Sequence, residues 1–335
     1  MARYVVQRLV VLVAMLFGLV CITFAVSNIA PGDPAALAAG PNATSAMVET
    51  MRREYGLDRS VPEQFAIYVS GLLRGDLGRS LSTTRPVMDE IGRHLPNTIE
   101  LVFAAMILGV VGGVGLGIAA AVWRDGWVDH VVRLFAVSGV ALPMFWFGLL
   151  LQLWFAVRLE WLPPGGRLGV MAARPEAITH LLVLDSLLRG MWASAWEALR
   201  HLLLPAVVLA VPCLASIVRV ARAEMIEALG QDFIVGQRAN GIRPWRIVLR
   251  HALRSAMLPI LALIGLRFGW MLGGSVLVET VFDWPGLGLL AVNSALLGDF
   301  KPVIGVTLVI GLCVMAANFV IDLTYAWLDP RLRQA

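Results

Sequence analysis

Residues 101–122 read LVFAAMILGVVGGVGLGIAAAV, an apolar run without a charged side chain. About 20 such residues, coiled as an α-helix, cross the roughly 30 Å hydrocarbon core of a bilayer. Further runs that meet or approach this length lie near residues 9–29, 134–157, 202–218, 257–278 and 303–321. The sequence therefore predicts an all-α membrane protein with six transmembrane helices.

The composition agrees with this class. The chain is 59% hydrophobic and only 15% charged, whereas soluble proteins are about half apolar and about a quarter charged. Its net charge of +4 comes almost wholly from arginine, because Lys301 is the single lysine. The arginines are spread along the chain without an aromatic-interleaved basic patch, so we expect no nucleic-acid partner.

The arginines instead indicate topology, because cytoplasmic loops of membrane proteins are enriched in Arg and Lys. Arginines precede the first predicted span and follow the last one. They also occupy the loop between the second and third spans, and they are densest in the loop between the fourth and fifth spans. All of these segments share one side if both termini are cytoplasmic. We therefore divide the chain into residues 1–30 (N-terminus and first helix), 31–97 (an extracytoplasmic helical insertion) and 98–335 (the remaining transmembrane helices, with a cytoplasmic loop at 222–257).

The chain lacks the residues that would power transport or catalysis. Lys301 lies in DFKP and follows no glycine-rich loop, so it cannot form a phosphate-binding loop. The histidines and cysteines are scattered and suggest no metal site. Arg267 is the one clear charge within a predicted span, and a secondary carrier would be expected to have more. We expect a non-catalytic protein without a cofactor of its own, so that energy for uphill transport would come from another polypeptide.

The loop at 222–259 reads RAEMIEALGQDFIVGQRANGIRPWRIVLRHALRSAMLP. Gly230 is expected to end the fourth helix, and Asp232 to cap a short helix over residues 233–240. Gly241 then breaks the chain, and Pro244 suits the first turn of the next helix. Two interpretations stay open for this region: a basic face against lipid headgroups, or a projecting element that docks into a partner subunit.

This loop resembles the EAA-type coupling loop of ABC importer permeases, in particular the peptide/nickel permease family and its dipeptide permease B subunits. One departure is the segment VGQRANG at 235–241, which lacks the lysine usual in that family. Further motifs of the family occur in the expected order along the chain: APGDP (30–34), YGLD (55–58), LRGDLGRS (73–80), RHLPNTIEL (93–101), VETVFDWPGLG (278–288) and LDPR (328–331).

The resemblance implies a type I ABC importer permease in a bacterial plasma (inner) membrane, importing dipeptides or oligopeptides. The implied partners are a second, C-type permease that completes the pore, two cytoplasmic ATPases that bind ATP and Mg, and an extracytoplasmic substrate-binding protein. Phe233 and Ile234 would be apolar anchors in the ATPases. The full set of implied coupling residues is Asp232, Phe233, Ile234, Gln237, Arg238, Ala239 and Gly241.

The substrate path is less specified by the sequence. Pro143 interrupts the third span beside aromatic residues, so Pro143, Trp146 and Arg267 are candidates to line the path, although helix packing accounts for them as well. Trp284, Pro285 and Gly286 are candidates for an external gate or a contact with the binding protein.

Other functions stay open at this point. Nickel chelates or glutathione are alternative substrates within the same family. A stand-alone channel or carrier, or a membrane scaffold without transport, would belong to different classes.

Overall fold

The computed structural model describes residues 2–29, 43–54, 58–169 and 172–328. The APGDP motif, Tyr55–Leu57 and most of the LDPR motif lie outside the described residues. Arg331 and Arg333, which follow the last predicted span, also lie outside the described residues.

Helices dominate the described residues, which confirms the all-α class. In chain order they are α1 (Ala2–Ile29), α2 (Ser45–Glu54), α3 (Val61–Leu73), α4 (Val87–Val122), α5 (Trp127–Ala141), α6 (Met144–Arg158, ending in a π-helical segment), α7 (Leu182–Leu188), α8 (Trp192–Leu229), α9 (Asp232–Ala239), α10 (Pro244–Val281, with a π-helical turn at Ile247–Ala252), α11 (Leu287–Leu296) and α12 (Phe300–Leu328).

The chain divides into two compact units. The first comprises Met1–Pro96 and Pro285–Ala316, and the second comprises Asn97–Trp284 and Ala317–Ala335. A segment from the C-terminal part of the chain thus joins the first unit, and the division into residues 1–30, 31–97 and 98–335 stays a prediction.

Five described helices are long and apolar enough to cross a membrane, namely α1, α4, α8, α10 and α12. The third predicted span is broken at Pro143, where the sequence predicts an interruption. That region is α5 followed by α6, bent by 109° at the break. Leu142 and Pro143 are both extended there, with ψ of 127° and 125°. Proline disfavours a helical residue before it, which explains the break. Six spans result if the bent pair counts as one.

The glycines of α4 pack closely against α8, in the second unit. A Cβ at Gly113 would lie 2.7 Å from the Cβ of Ile217, and one at Gly117 would lie 2.6 Å from the Cβ of Ala221. Gly109, Gly113 and Gly117 follow one another at four-residue spacing, and this glycine stripe lets the backbone of α8 approach α4 closely. α8 also contacts α5, α6, α7 and α10, and is the central helix of this unit.

The first unit is held by aromatic and polar contacts. The Phe24 ring on α1 lies edge-on to Phe65 on α3, with centroids 5.1 Å apart. Asp299, which is buried, accepts a hydrogen bond of 2.6 Å from the Ser80 hydroxyl and another of 3.0 Å from the Ser82 amide. The loop before α4 is thereby fastened to the start of α12.

The glycine contacts generate a stability prediction. Gly113→Ala should destabilise the protein by about 1–3 kcal/mol, because the new methyl group overlaps Ile217. We expect thermal unfolding in detergent several degrees below wild type, followed by fluorescence-detected gel filtration. Gly115→Ala is the matched control, since a Cβ there meets nothing within 4 Å. Equal melting temperatures for the two variants would contradict the α4–α8 contact.

Candidate functional site

The elbow, defined here as residues 230–243, connects α8 to α10. α8 ends at Leu229, α9 spans Asp232–Ala239, and α10 begins at Pro244 as predicted. The expected cap at Asp232 was wrong. Gln231 is the N-cap, with extended backbone (ψ 150°), and Asp232 already lies in the first helical turn. Its carboxylate still has the sign that favours a helix N-terminus.

The two apolar residues expected to act as anchors have different environments. Phe233 is 40% exposed, whereas Ile234 is fully buried within the chain. α9 packs on the π-helical turn of α10, where Ile247 and Ala252 are also buried. Ile234 therefore holds the elbow to α10 and is not available to a partner. Phe233 keeps the exposure that a docking residue needs.

The end of α9 combines exposed side chains with a sharp turn. Arg238 and Ala239 are exposed, and the Gln237 side-chain oxygen is buried without a hydrogen-bond partner. The Gly241 amide donates to the Arg238 carbonyl at 3.0 Å. Gly241 has φ of +70°, a conformation that side chains with a Cβ disfavour. The predicted chain break is thus a left-handed turn that ends α9.

A buried ion pair braces the base of the elbow. Both Asp129 oxygens accept hydrogen bonds from the Arg222 guanidinium, at 2.6 and 2.7 Å, and one also accepts from the Asp125 amide at 3.0 Å. Asp129 is fully buried at the start of α5. This bidentate pair fixes the last turns of α8 against the α4–α5 connection. Sequence reasoning missed it, because Arg222 was interpreted only as one of many loop arginines.

The opposite end of α8 and α10 carries a second polar cluster. Arg167 donates to the side chains of Asn97 and Glu100, and Glu100 also accepts from the Val183 amide at 2.7 Å. The Arg167 guanidinium lies 5.5 Å from the centroid of the Trp284 ring. The loop before α7 is therefore tied to α4 and to the segment after α10.

Trp284 belongs to this cluster and not to an open surface. It is 1% exposed, and its indole N–H donates to the Asn97 carbonyl at 2.9 Å. Gly286 is buried and Pro285 is half-buried. The predicted contact of Trp284 with a binding protein does not fit this burial, since the residue offers no free face. A gating role for the segment stays a prediction.

Glu279 was also missed from the sequence. The fifth span was expected to end near Val278, but α10 continues to Val281 and Glu279 is fully buried. Its carboxylate accepts hydrogen bonds from Thr98 at 2.8 Å and from Ser275 at 3.1 Å. Ser275 precedes it by one helical turn, and that spacing was the signal available in the sequence.

Asp185 on α7 anchors the preceding loop. Burial raises the pKa of its carboxyl group, but hydrogen bonds from the Thr179 hydroxyl and from the backbone amides of Ile178, Thr179 and His180 outweigh that effect and lower the pKa below its usual range. The charged form is therefore favoured, and its bonds fix residues 178–185 at neutral pH.

The proposed path residues do not form one cluster. Pro143 and Trp146 are exposed at and just after the α5–α6 break. Arg267 lies on α10 with its guanidinium 5.8 Å from the Trp270 ring centroid, and it lines a depression with residues of α8. No group of three His, Cys, Asp or Glu side chains arranged to hold a metal ion is found in the described part of the chain.

Comparison with known families agrees with this architecture. Residues 113–334 match the family described as binding-protein-dependent transport system inner membrane component, and residues 1–102 match the N-terminal region of such membrane components. The chain belongs to this family. The resemblance deduced from the motifs is thereby confirmed.

Two curated relatives illustrate the similarity. A probable D,D-dipeptide transport system permease protein, DdpB of Escherichia coli (strain K12), is 44% identical over 97% of this chain and 96% of its own length. The glutathione transport system permease protein GsiC of Escherichia coli O6:H1 is 37% identical over 99% of each.

One solved structure shows the same fold. An inward-facing MetNI methionine ABC transporter matches with a TM-score of 0.53 at 18% identity, covering 72% of this chain and 97% of that one. The type I importer fold predicted from the sequence is thereby confirmed.

The ion pair at the base of the elbow gives a second prediction. Asp129→Asn should lower stability by about 3 kcal/mol, because it leaves the Arg222 guanidinium, only 21% exposed, without its anion. We expect a lower melting temperature in detergent and faster proteolysis within residues 222–243. Asp125→Asn, at an exposed position, should match wild type. If both variants behave like wild type, the pair does not brace the elbow.

Proposed function

We propose that this chain is the B-type permease of an ATP-driven importer of dipeptides and related short peptides. The observation that carries the proposal is the elbow: a short helix with exposed Phe233 and Arg238, fixed to two long apolar helices. Such an element can transmit motion from a cytoplasmic ATPase to membrane helices. The remaining partners are a second permease and a binding protein, and both termini would then be cytoplasmic.

Rigidity on the membrane side supports a lever mechanism. Ile234 holds α9 to α10, and Arg222 with Asp129 holds α8 to α5. A displacement of α9 would therefore move α8 and α10 together instead of melting the elbow. Rigid-body motion of packed helices is an established way in which ligand-driven closure changes access to a site. ATP and Mg would bind to the partner subunits.

The substrate class is supported by the named activities of the relatives. D,D-dipeptides and glutathione are both short peptides, so the relatives agree on peptide chemistry while differing in size. The higher identity to the dipeptide permease favours dipeptides, and glutathione is the second candidate. Pro143, Trp146 and Arg267 are proposed to lie along the path.

Uptake by the complete transporter tests the substrate. Proteoliposomes would contain this chain, the second permease, both ATPases and the binding protein, with ATP supplied on the ATPase side. We expect ATP-dependent accumulation of a labelled dipeptide. Accumulation of glutathione without dipeptide would replace the leading substrate, and accumulation of neither would reject peptide import.

A variant pair at Gly241 tests the elbow. Gly241→Val should reduce transport about tenfold and separate ATP hydrolysis from uptake, because a β-branched residue is strained at φ of +70° by roughly 1–2 kcal/mol and would reorient α9. Gly241→Asn is the matched control, since asparagine tolerates this conformation and no neighbouring atom lies within 4 Å of a Cβ there. Membrane insertion should be normal in both. Wild-type transport by the valine variant would refute the coupling assignment.

A further inference from the structure

A depression between α8 and α10 holds charges of both signs. It has a volume of about 280 Å³ and is lined by Ser216, Arg219 and Glu224 from α8 and by Leu263 and Arg267 from α10. This volume is near the lower end of the range of roughly 300–1,000 Å³ for small-molecule sites. All of these residues belong to the second compact unit.

Within the part of the chain that the structure describes, these charges are not paired with opposite charges by the fold, although the Arg267 guanidinium lies over the Trp270 ring. Among the described residues, Arg219, Glu224 and Arg267 form no hydrogen bond or ion pair, either with one another or with other side chains. Arg222, three residues from Arg219, is by contrast fully engaged with Asp129. Arg267 lies within the predicted fifth span, where a charge is costly, so a charge there without an ion-pair partner points to a ligand or a path. Arg219 and Glu224 follow the predicted fourth span, which ends near residue 218, and line the same depression with charges of both signs.

The spacing of the charges suits a short peptide. Arg219 and Glu224 are five residues apart on α8, about 7.5 Å along the helix axis and about 140° around it, and both line the depression. An extended dipeptide spans at most about 7 Å, whereas a single amino acid spans only about half of that. The apolar side chain of Leu263 lies in the same lining and could contact the body of a peptide.

We propose that this depression is a subsite for a zwitterionic short peptide, with Arg267 and Arg219 binding its carboxylate and Glu224 binding its α-ammonium group. The inference rests on the proposed function, which supplies the peptide as cargo. A zwitterion that leaves water must exchange its hydration for charged partners, and the depression offers both signs on otherwise apolar helices. Guanidinium groups suit the carboxylate because they donate two parallel hydrogen bonds.

The test measures discrimination between three peptides by the complete transporter in proteoliposomes. The peptides are Ala-Ala, Ala-Ala-amide, which lacks the carboxylate, and N-acetyl-Ala-Ala, which lacks the ammonium group. Each is used at a concentration that saturates the binding protein. The same binding protein serves every variant, so its own preference cancels when uptake ratios are compared with wild type.

Arg267→Gln should lower the ratio of Ala-Ala to Ala-Ala-amide uptake about tenfold, since one charge-assisted hydrogen bond supports discrimination of that order. Glu224→Gln should do the same for the ratio of Ala-Ala to N-acetyl-Ala-Ala. Arg267→Lys keeps the charge and should retain most of the discrimination; it also serves as the readout if the glutamine variant transports nothing. Arg158→Gln, on exposed α6 and outside the depression, should leave both ratios unchanged.

Three outcomes would overturn the assignment, and they differ in what else they affect. Unchanged ratios in Arg267→Gln and Glu224→Gln, with Ala-Ala still imported, would reject the subsite and leave peptide import intact. Loss of the second permease from the purified Arg267→Gln complex, with unchanged ratios in the remainder, would make Arg267 an assembly residue. Failure of the wild-type transporter to accumulate any of the three peptides would reject the proposed function together with the subsite.

Discussion

The lack of water in the hydrocarbon layer governs where this chain can place backbone and charge. Backbone groups must find partners inside the chain, so the segments that cross are helices. Within the described residues, a sharp break between apolar helices lies at Leu142 and Pro143, where proline cannot donate a backbone hydrogen bond. The buried carboxylates of Asp129 and Glu279 both accept hydrogen bonds from neighbouring side chains.

This constraint gives α8 its central position. Small residues on α4 let the two backbones approach closely, and Arg222 on the last turns of α8 is bonded to Asp129 on α5. Packing and hydrogen bonding hold helices together in a membrane, where the hydrophobic effect no longer favours their association. Because α9 follows α8 directly, the same contacts give the elbow a firm base.

The two polar clusters differ from the depression in how their charges are paired. Arg167 and Arg222 are bonded to carboxylates and stabilise connections between helices. Arg219 and Arg267 have no such carboxylate partners among the described residues, and they line an open depression with Glu224. Charge alone therefore does not distinguish the proposed subsite from the structural clusters. The distinction lies in whether the fold has already paired that charge with an opposite one.

The sequence by itself determined the helical membrane class, the family, and the helix–glycine–helix elbow, because these depend on apolar length, ordered motifs and local backbone preferences. It also located the break at Pro143 and the start of α10 at Pro244. Only the tertiary structure decided that Ile234 and Trp284 are buried, that Glu279 lies inside the fold, and which helix fills the glycine stripe of α4. Burial and pairing depend on contacts between residues distant in the chain, such as Asn97 with Trp284, and no local pattern encodes those contacts.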